Sequence, residues 1–131
     1  MKLSQRVLWV TSAAFVAFGL GFALAPQQLA EFVTGVGPSA SNALIDMRAT
    51  YGGVAIGIGL FIGICARRPA WVRPGLLVSL LTIAATASGR ALGIIVDGSP
   101  NALMLVLLAA EIAFAGLYVF ALRRDRAPTA N

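Results

Sequence analysis

The chain has 131 residues, 59% of them hydrophobic and 11% charged, with a formal net charge of +5 at pH 7. Soluble domains draw about a quarter of their residues from Asp, Glu, Lys and Arg, and one this small cannot hide so much apolar surface, so an ordinary soluble globule is excluded. Histidine is absent and Cys65 is the only cysteine, which excludes imidazole and thiolate metal sites, an internal disulfide and any triad built on a histidine base.

A mean hydropathy of +0.87 points to lipid as the solvent, and four apolar runs emerge in chain order. The first is Val7 to Ala25, closed by Pro26. The second runs from about Met47 to Ala66, before Arg67, Arg68 and Pro69; the third starts after Pro74 and reaches Val96; the fourth runs from Ala102 to Leu122, before Arg123. Each is close to the ~20 residues that cross ~30 Å of hydrocarbon. Lipid offers backbone groups no partner, so spans are helices or closed barrels, and these runs lack the alternation of barrel strands. The expectation is one all-α integral membrane domain over residues 1–131, a four-helix transmembrane bundle.

Lys2, Arg6 and the run behind them imitate a secretory leader, and Ala23-Leu24-Ala25 imitates its cleavage site. The run exceeds the ~7–15 residues of a leader core, and Pro26 follows the would-be cut, where its fixed φ and missing N–H hinder an extended protease substrate. Span one is therefore expected to be a retained helix. The connection from Pro26 to Ile45 carries Leu29, Phe32, Val33 and Val36 at helical spacing, which predicts a short interfacial helix ended by Gly35, Gly37 and Pro38. Asp97-Gly98-Ser99-Pro100 reads as a tight turn, with Ser99 as N-cap and Pro100 as first helical residue of span four. The tail from Arg124 to Asn131 reads as a frayed, solvated end.

Basic residues sit at the ends of the spans and form no stripe interleaved with stacking aromatics, so nucleic acid is not the expected partner; membrane lipids are. With four crossings, Lys2, Arg6, Arg67, Arg68, Arg73, Arg123, Arg124 and Arg126 share one side, while the loops opposite hold Glu31 and Asp97 and neither Lys nor Arg. The positive-inside rule then places both termini in the cytoplasm, with Trp9, Trp71 and Tyr118 as interfacial aromatics at that face. The expected location is the inner membrane of a bacterium.

Small residues let helices approach closely in lipid. Span two holds Gly52, Gly53, Gly57, Gly59 and Gly63, including two GxxxG pairs. At ~100° per residue they do not share one stripe, so contacts on more than one side are expected. Packing within the bundle is the first reading, and a homo-oligomer seam the second. Gly19, Gly21, Gly89 and Gly93 fit the same pattern.

A charge inside a span costs about 2.5–3.5 kcal/mol at the helix centre, so Arg48, Arg90 and Glu111 each need a partner. Arg90 lies ~9 Å below the outer edge, Glu111 ~14 Å along span four and Arg48 shallower than both, so the three can meet in the outer half, with Asp46 and Asp97 at the rim. Ser79, Thr82, Thr86 and Arg90 share a stripe that predicts an inward polar face on span three. Tyr51 shares a face with Arg48, while Asp46 either caps span two or joins the cluster.

In one reading the cluster only neutralises itself and organises the bundle. In another, its surplus positive charge binds a small anion, a phosphate or a lipid headgroup, or Glu111 serves a small proton-coupled transporter. A membrane-embedded isomerase or hydrolase with Glu111 and Tyr51 comes last, since no nucleophile with a base, metal shell or phosphate loop accompanies them. No catalytic residue, cofactor or metal is assigned. Cys65, at the far end of span two, reads as a packing residue.

The stretch Asp46-Met47-Arg48-Ala49-Thr50-Tyr51-Gly52-Gly53 with Gly57 and Gly59, then Arg90, Asp97-Gly98-Ser99-Pro100 and Glu111, resembles the pattern of an uncharacterised bacterial family, domain of unknown function 4345. The resemblance covers nearly the whole chain. It implies a small four-helix inner-membrane protein and implies no activity.

Overall fold

In the computed structural model, residues 1–125 are described, and among them every regular element is helical. Arg126 and the rest of the tail to Asn131 lie outside the described residues. Four helical stretches are long and apolar enough to cross a membrane: Leu3–Leu24, Ser41–Arg67, Pro69–Asp97 and Ala102–Arg124.

Helix α1 (Leu3–Leu24) has 22 residues, about 33 Å at 1.5 Å per residue. Pro26 stops it and opens α2 (Pro26–Thr34), where a first-turn proline lacks only an N–H that would have no helical partner. The short helix expected there forms, and Gly35 ends it at φ +86°, a left-handed conformation that side chains resist.

Span two begins at Ser41 rather than Met47. It comprises α3 (Ser41–Met47), a π-helical segment Arg48–Gly53 and α4 (Val54–Arg67) without a break. Its 27 residues reach ~40 Å, so its first turns extend beyond ~30 Å of hydrocarbon or the span tilts. In the π-helical segment the Val54 N–H donates to the Ala49 carbonyl, and the adjacent Gly52 and Gly53 leave room for that widened turn.

A short 3₁₀ turn, Pro69–Trp71, leads into α5 (Val72–Asp97), which places Pro74 inside the first turn, where its ring costs no helical hydrogen bond. Helix α6 (Ala102–Arg124) starts later than expected. Gly98 and Ser99 both have positive φ and make the turn, and Asn101 is the cap, its side chain accepting from the Met104 N–H at 2.8 Å. Ser99 and Pro100 therefore precede the helix.

Helix α1 packs along α4 and the π-helical segment, and α5 packs along α6. The two pairs join mainly at the end where the chain starts, around Leu8, Ile62, Cys65, Leu76, Tyr118 and Ala121. Toward the opposite end burial thins, since the buried residues of α5 stop at Ser79 and α6 buries only Glu111 beyond Tyr118. Polar links close the joined end: Gln5 Nε2 donates to the Ala66 carbonyl at 3.3 Å, and the Ser4 hydroxyl to Asp125 at 3.3 Å. All described basic residues except Arg48 and Arg90 belong to this basic end. Arg67 lies over the Trp9 ring at 5.7 Å and Arg68 over Trp71 at 5.3 Å. Tyr118 departs from its expected interfacial place. It is 1% exposed, and its OH shares a 2.8 Å hydrogen bond with the Thr11 hydroxyl inside the bundle.

The glycines divide by what they face. A Cβ at Gly19 would lie 2.7 Å from the Gly52 carbonyl oxygen and 2.8 Å from the Ile56 nitrogen; one at Gly59 would lie 3.0 Å from the Ser12 oxygen. Gly52 meets the Ala23 backbone and Gly63 meets Ser12, whose hydroxyl donates to the Gly59 carbonyl at 2.7 Å. Gly52, Gly59 and Gly63 thus serve one seam, against α1. Span two also touches α5, but through Cys65, which fills the space left by Gly75. Gly57 and Gly89 face open space, Gly53 and Gly93 meet only atoms of their own helices, and Gly21 faces Leu29 of α2.

Gly19→Val and Gly59→Val should each lower stability in detergent by about 1–3 kcal/mol, because neighbouring backbone cannot yield. Gly57→Val should stay within about 0.5 kcal/mol of wild type. Equal thermal midpoints for all three variants would show that the glycines do not set the seam.

Candidate functional site

The polar groups within the spans find partners locally. Arg90, late in α5, faces Glu111, midway along α6, because the Asp97–Asn101 connection folds the two helices into an antiparallel pair. The ion pair is bidentate: Nη2 donates to Oε1 at 2.6 Å, and Nε donates to Oε2 at 3.0 Å and Oε1 at 3.1 Å. The side chains are 19% and 11% exposed, so a fork-to-fork contact of this kind is little screened. The remaining nitrogen, Nη1, lies 3.0 Å from the Met104 sulfur. Every guanidinium nitrogen is thereby engaged, and the pair is neutral.

Arg48 does not complete this pair. Its Nη1 donates to the carbonyls of Ala23 and Leu24, which end α1 and receive no N–H from their own helix. A cation there also suits the negative end of the α1 dipole. Arg48 is exposed, and its other two nitrogens make no hydrogen bond among the described residues. Tyr51, one turn along, is 49% exposed and sets its ring 5.2 Å from Phe22 of α1. Asp46 neither caps span two nor bonds Arg48: it sits inside α3 and accepts from the Thr50 hydroxyl at 3.3 Å. Asp97, exposed at the end of α5, folds back toward Gly93. The sequence-level cluster thus resolves into Arg90 with Glu111 on the α5–α6 pair, and Arg48 with Tyr51 on the α1–span two pair.

The hydroxyl stripe on α5 is likewise resolved within its helix. Ser79 donates to the Gly75 carbonyl at 2.8 Å and Thr86 to Thr82 at 2.9 Å, which satisfies them without a neighbour. Ser79 is buried, whereas Thr86 is exposed, because the helix pairs separate along that direction. Among the described residues, no fully buried side-chain nitrogen or oxygen lacks a partner, and no cluster of acidic or sulfur side chains could hold a metal.

Several polar contacts escaped sequence reasoning, three of them inside the bundle. Met104 lies seven residues before Glu111 on α6, a spacing that places both on one face and was available to find it. The Thr11–Tyr118 and Ser12–Gly59 bonds join residues 107 and 47 apart in sequence, and no local pattern specifies such partners. Two grooves indent the surface. One, of about 160 Å³, is lined by Arg6, Val7, Val10, Phe114 and Leu117; the other, of about 70 Å³, by Lys2, Gln5, Pro69, Val72 and Asp125. Both open toward the basic end, and the first reaches in to Phe114, one turn from Glu111.

No curated protein and no solved structure matches the chain. A family model described as a domain of unknown function (DUF4345) matches residues 3–122, a stretch that includes three spans, all but the last two residues of the fourth, and Arg48, Tyr51, Arg90 and Glu111. The match covers most of the sequence, and the chain belongs to the DUF4345 family.

Proposed function

We propose that this chain is a non-enzymatic, multi-pass protein of the bacterial inner membrane in which Arg90 and Glu111 organise the outer half of the bundle, while Arg48 takes a small anion or lipid headgroup. The observation that carries the structural role is the complete engagement of the Arg90 guanidinium, by Glu111 on two nitrogens and by Met104 on the third. The pair is charge-neutral, each guanidinium nitrogen already has a partner, and it bridges α5 and α6 where little else is buried. The carrier and enzyme readings ask for an accessible Glu111, whereas its carboxylate is buried and bonded to Arg90.

Breaking the pair separates these readings. Arg90→Leu or Glu111→Leu alone leaves one charge unpartnered and should lower stability in detergent by about 3 kcal/mol or more. The double replacement by leucine should restore a thermal midpoint near wild type, since a matched apolar pair is often neutral. Single variants as stable as the parent would remove the basis for a structural pair.

Anion binding falls to Arg48, whose exposed guanidinium keeps two nitrogens available beside Tyr51. A bound phosphate or phosphate-bearing headgroup stabilises the folded form by mass action. Inorganic phosphate or phosphatidylglycerol should therefore raise the thermal midpoint of wild type more than that of Arg48→Gln. Equal shifts in both proteins would discard Arg48 as the site.

The orientation rests on the charge distribution: the basic end carries Lys2, Arg6, Arg67, Arg68, Arg73, Arg123 and Arg124, against Glu31, Asp46 and Asp97 opposite. Helical spans fit an inner membrane better than an outer one, which is crossed by barrels. Fluorescent-protein fusions to either end should glow and alkaline phosphatase fusions stay inactive; opposite behaviour of the two ends would overturn this topology.

A further inference from the structure

Helix α1 turns its small residues, Ser12 and Gly19, toward span two, so its side toward α6 carries Val7, Val10 and Thr11. No glycine brings α6 close, and contacts between these helices are sparse. Their spacing is set by two polar links, Ser4 to Asp125 and Thr11 to Tyr118. The groove of about 160 Å³ lined by Arg6, Val7, Val10, Phe114 and Leu117 opens between them.

The groove surface is almost wholly apolar, and a basic residue stands at its mouth. Arg6, exposed in the first turns of α1, is its only charged lining residue. Val10 lies one turn deeper, ~6 Å along the axis, and Phe114 precedes the buried Tyr118 by one turn toward the bilayer middle. The mouth is therefore at headgroup level and the walls are apolar, the shape taken by one acyl chain below a phosphate. Long basic side chains near helix ends reach outward to that level.

Charge decides between lipid and a second copy of the chain. The one described carboxylate at this end, Asp125, is bonded to Ser4, and every other charged side chain described there is basic. A parallel copy would bring an identical positive end against this one, whereas an anionic lipid neutralises it. We infer that the α1–α6 groove binds an anionic phospholipid, its phosphate paired with Arg6 and one acyl chain lying over Val7, Val10, Phe114 and Leu117. This site is independent of Arg48, which belongs to the opposite end.

Native mass spectrometry of the full chain, released from nanodiscs of phosphatidylglycerol and phosphatidylcholine in equal parts, tests the inference. Wild type should retain phosphatidylglycerol in preference to phosphatidylcholine. Arg6→Gln should reduce the retained phosphatidylglycerol roughly tenfold, the scale of one lost charge-assisted hydrogen bond, and Arg6→Lys should recover part of it. Val10 is 60% exposed, so Val10→Trp fills the groove from outside the core and should displace the bound lipid. Equal retention of the two lipids, or unchanged retention in Arg6→Gln, overturns the site. So does a dimer that Val10→Trp dissociates without changing the lipid carried. Should Val10→Trp lose its helical circular dichroism, the exposed Arg6→Gln decides alone.

Discussion

A polar group in hydrocarbon finds its partner within the protein or goes without, and an unmade hydrogen bond there costs several kcal/mol. Most polar side chains in the spans answer to that constraint close at hand. Hydroxyls on α5 return to carbonyls of their own helix, Thr11 meets Tyr118, Ser12 meets Gly59 and Arg90 meets Glu111. Arg48 turns to the carbonyls that α1 leaves open at its end. The result is a set of short local solutions, where a single larger polar cluster was the expectation from depth alone.

Packing follows a second rule of the same solvent. Lipid tails are as apolar as leucine, so helices gain little by hiding apolar surface from them and gain by close contact. Glycines facing α1 permit that contact and make α1 with span two the tight half of the molecule. Helices α5 and α6 meet the other pair mainly at the basic end, and are tied to each other by one ion pair farther along. An ion pair at such a place holds two helices in register without demanding that the rest of their surfaces interlock.

This division gives the two ends of the bundle different chemistry. The basic end is closed by side-chain links and aromatic–arginine contacts and carries the α1–α6 groove. The opposite end carries the π-helical segment, the exposed Arg48 and Tyr51, and the short helix α2. π-Helical turns are uncommon and often accompany functional sites, and here one carries Arg48 and Tyr51.

Four helices, their approximate limits, the capping glycine after α2 and the gathering of arginines at one end were legible in the sequence, because hydrophobic length, proline, glycine and charge act locally and lipid allows few alternatives. Which glycines would meet a neighbour was not legible: Gly57 and Gly59 are two residues apart, yet only Gly59 faces α1, and the helix rotation that decides this comes from packing. Depth along a span placed Arg48, Arg90 and Glu111 within reach of one another, but depth carries no information on which helices are adjacent. Only the tertiary structure, by pairing α1 with span two and α5 with α6, decided that Arg90 would hold Glu111 and that Arg48 would hold the end of α1.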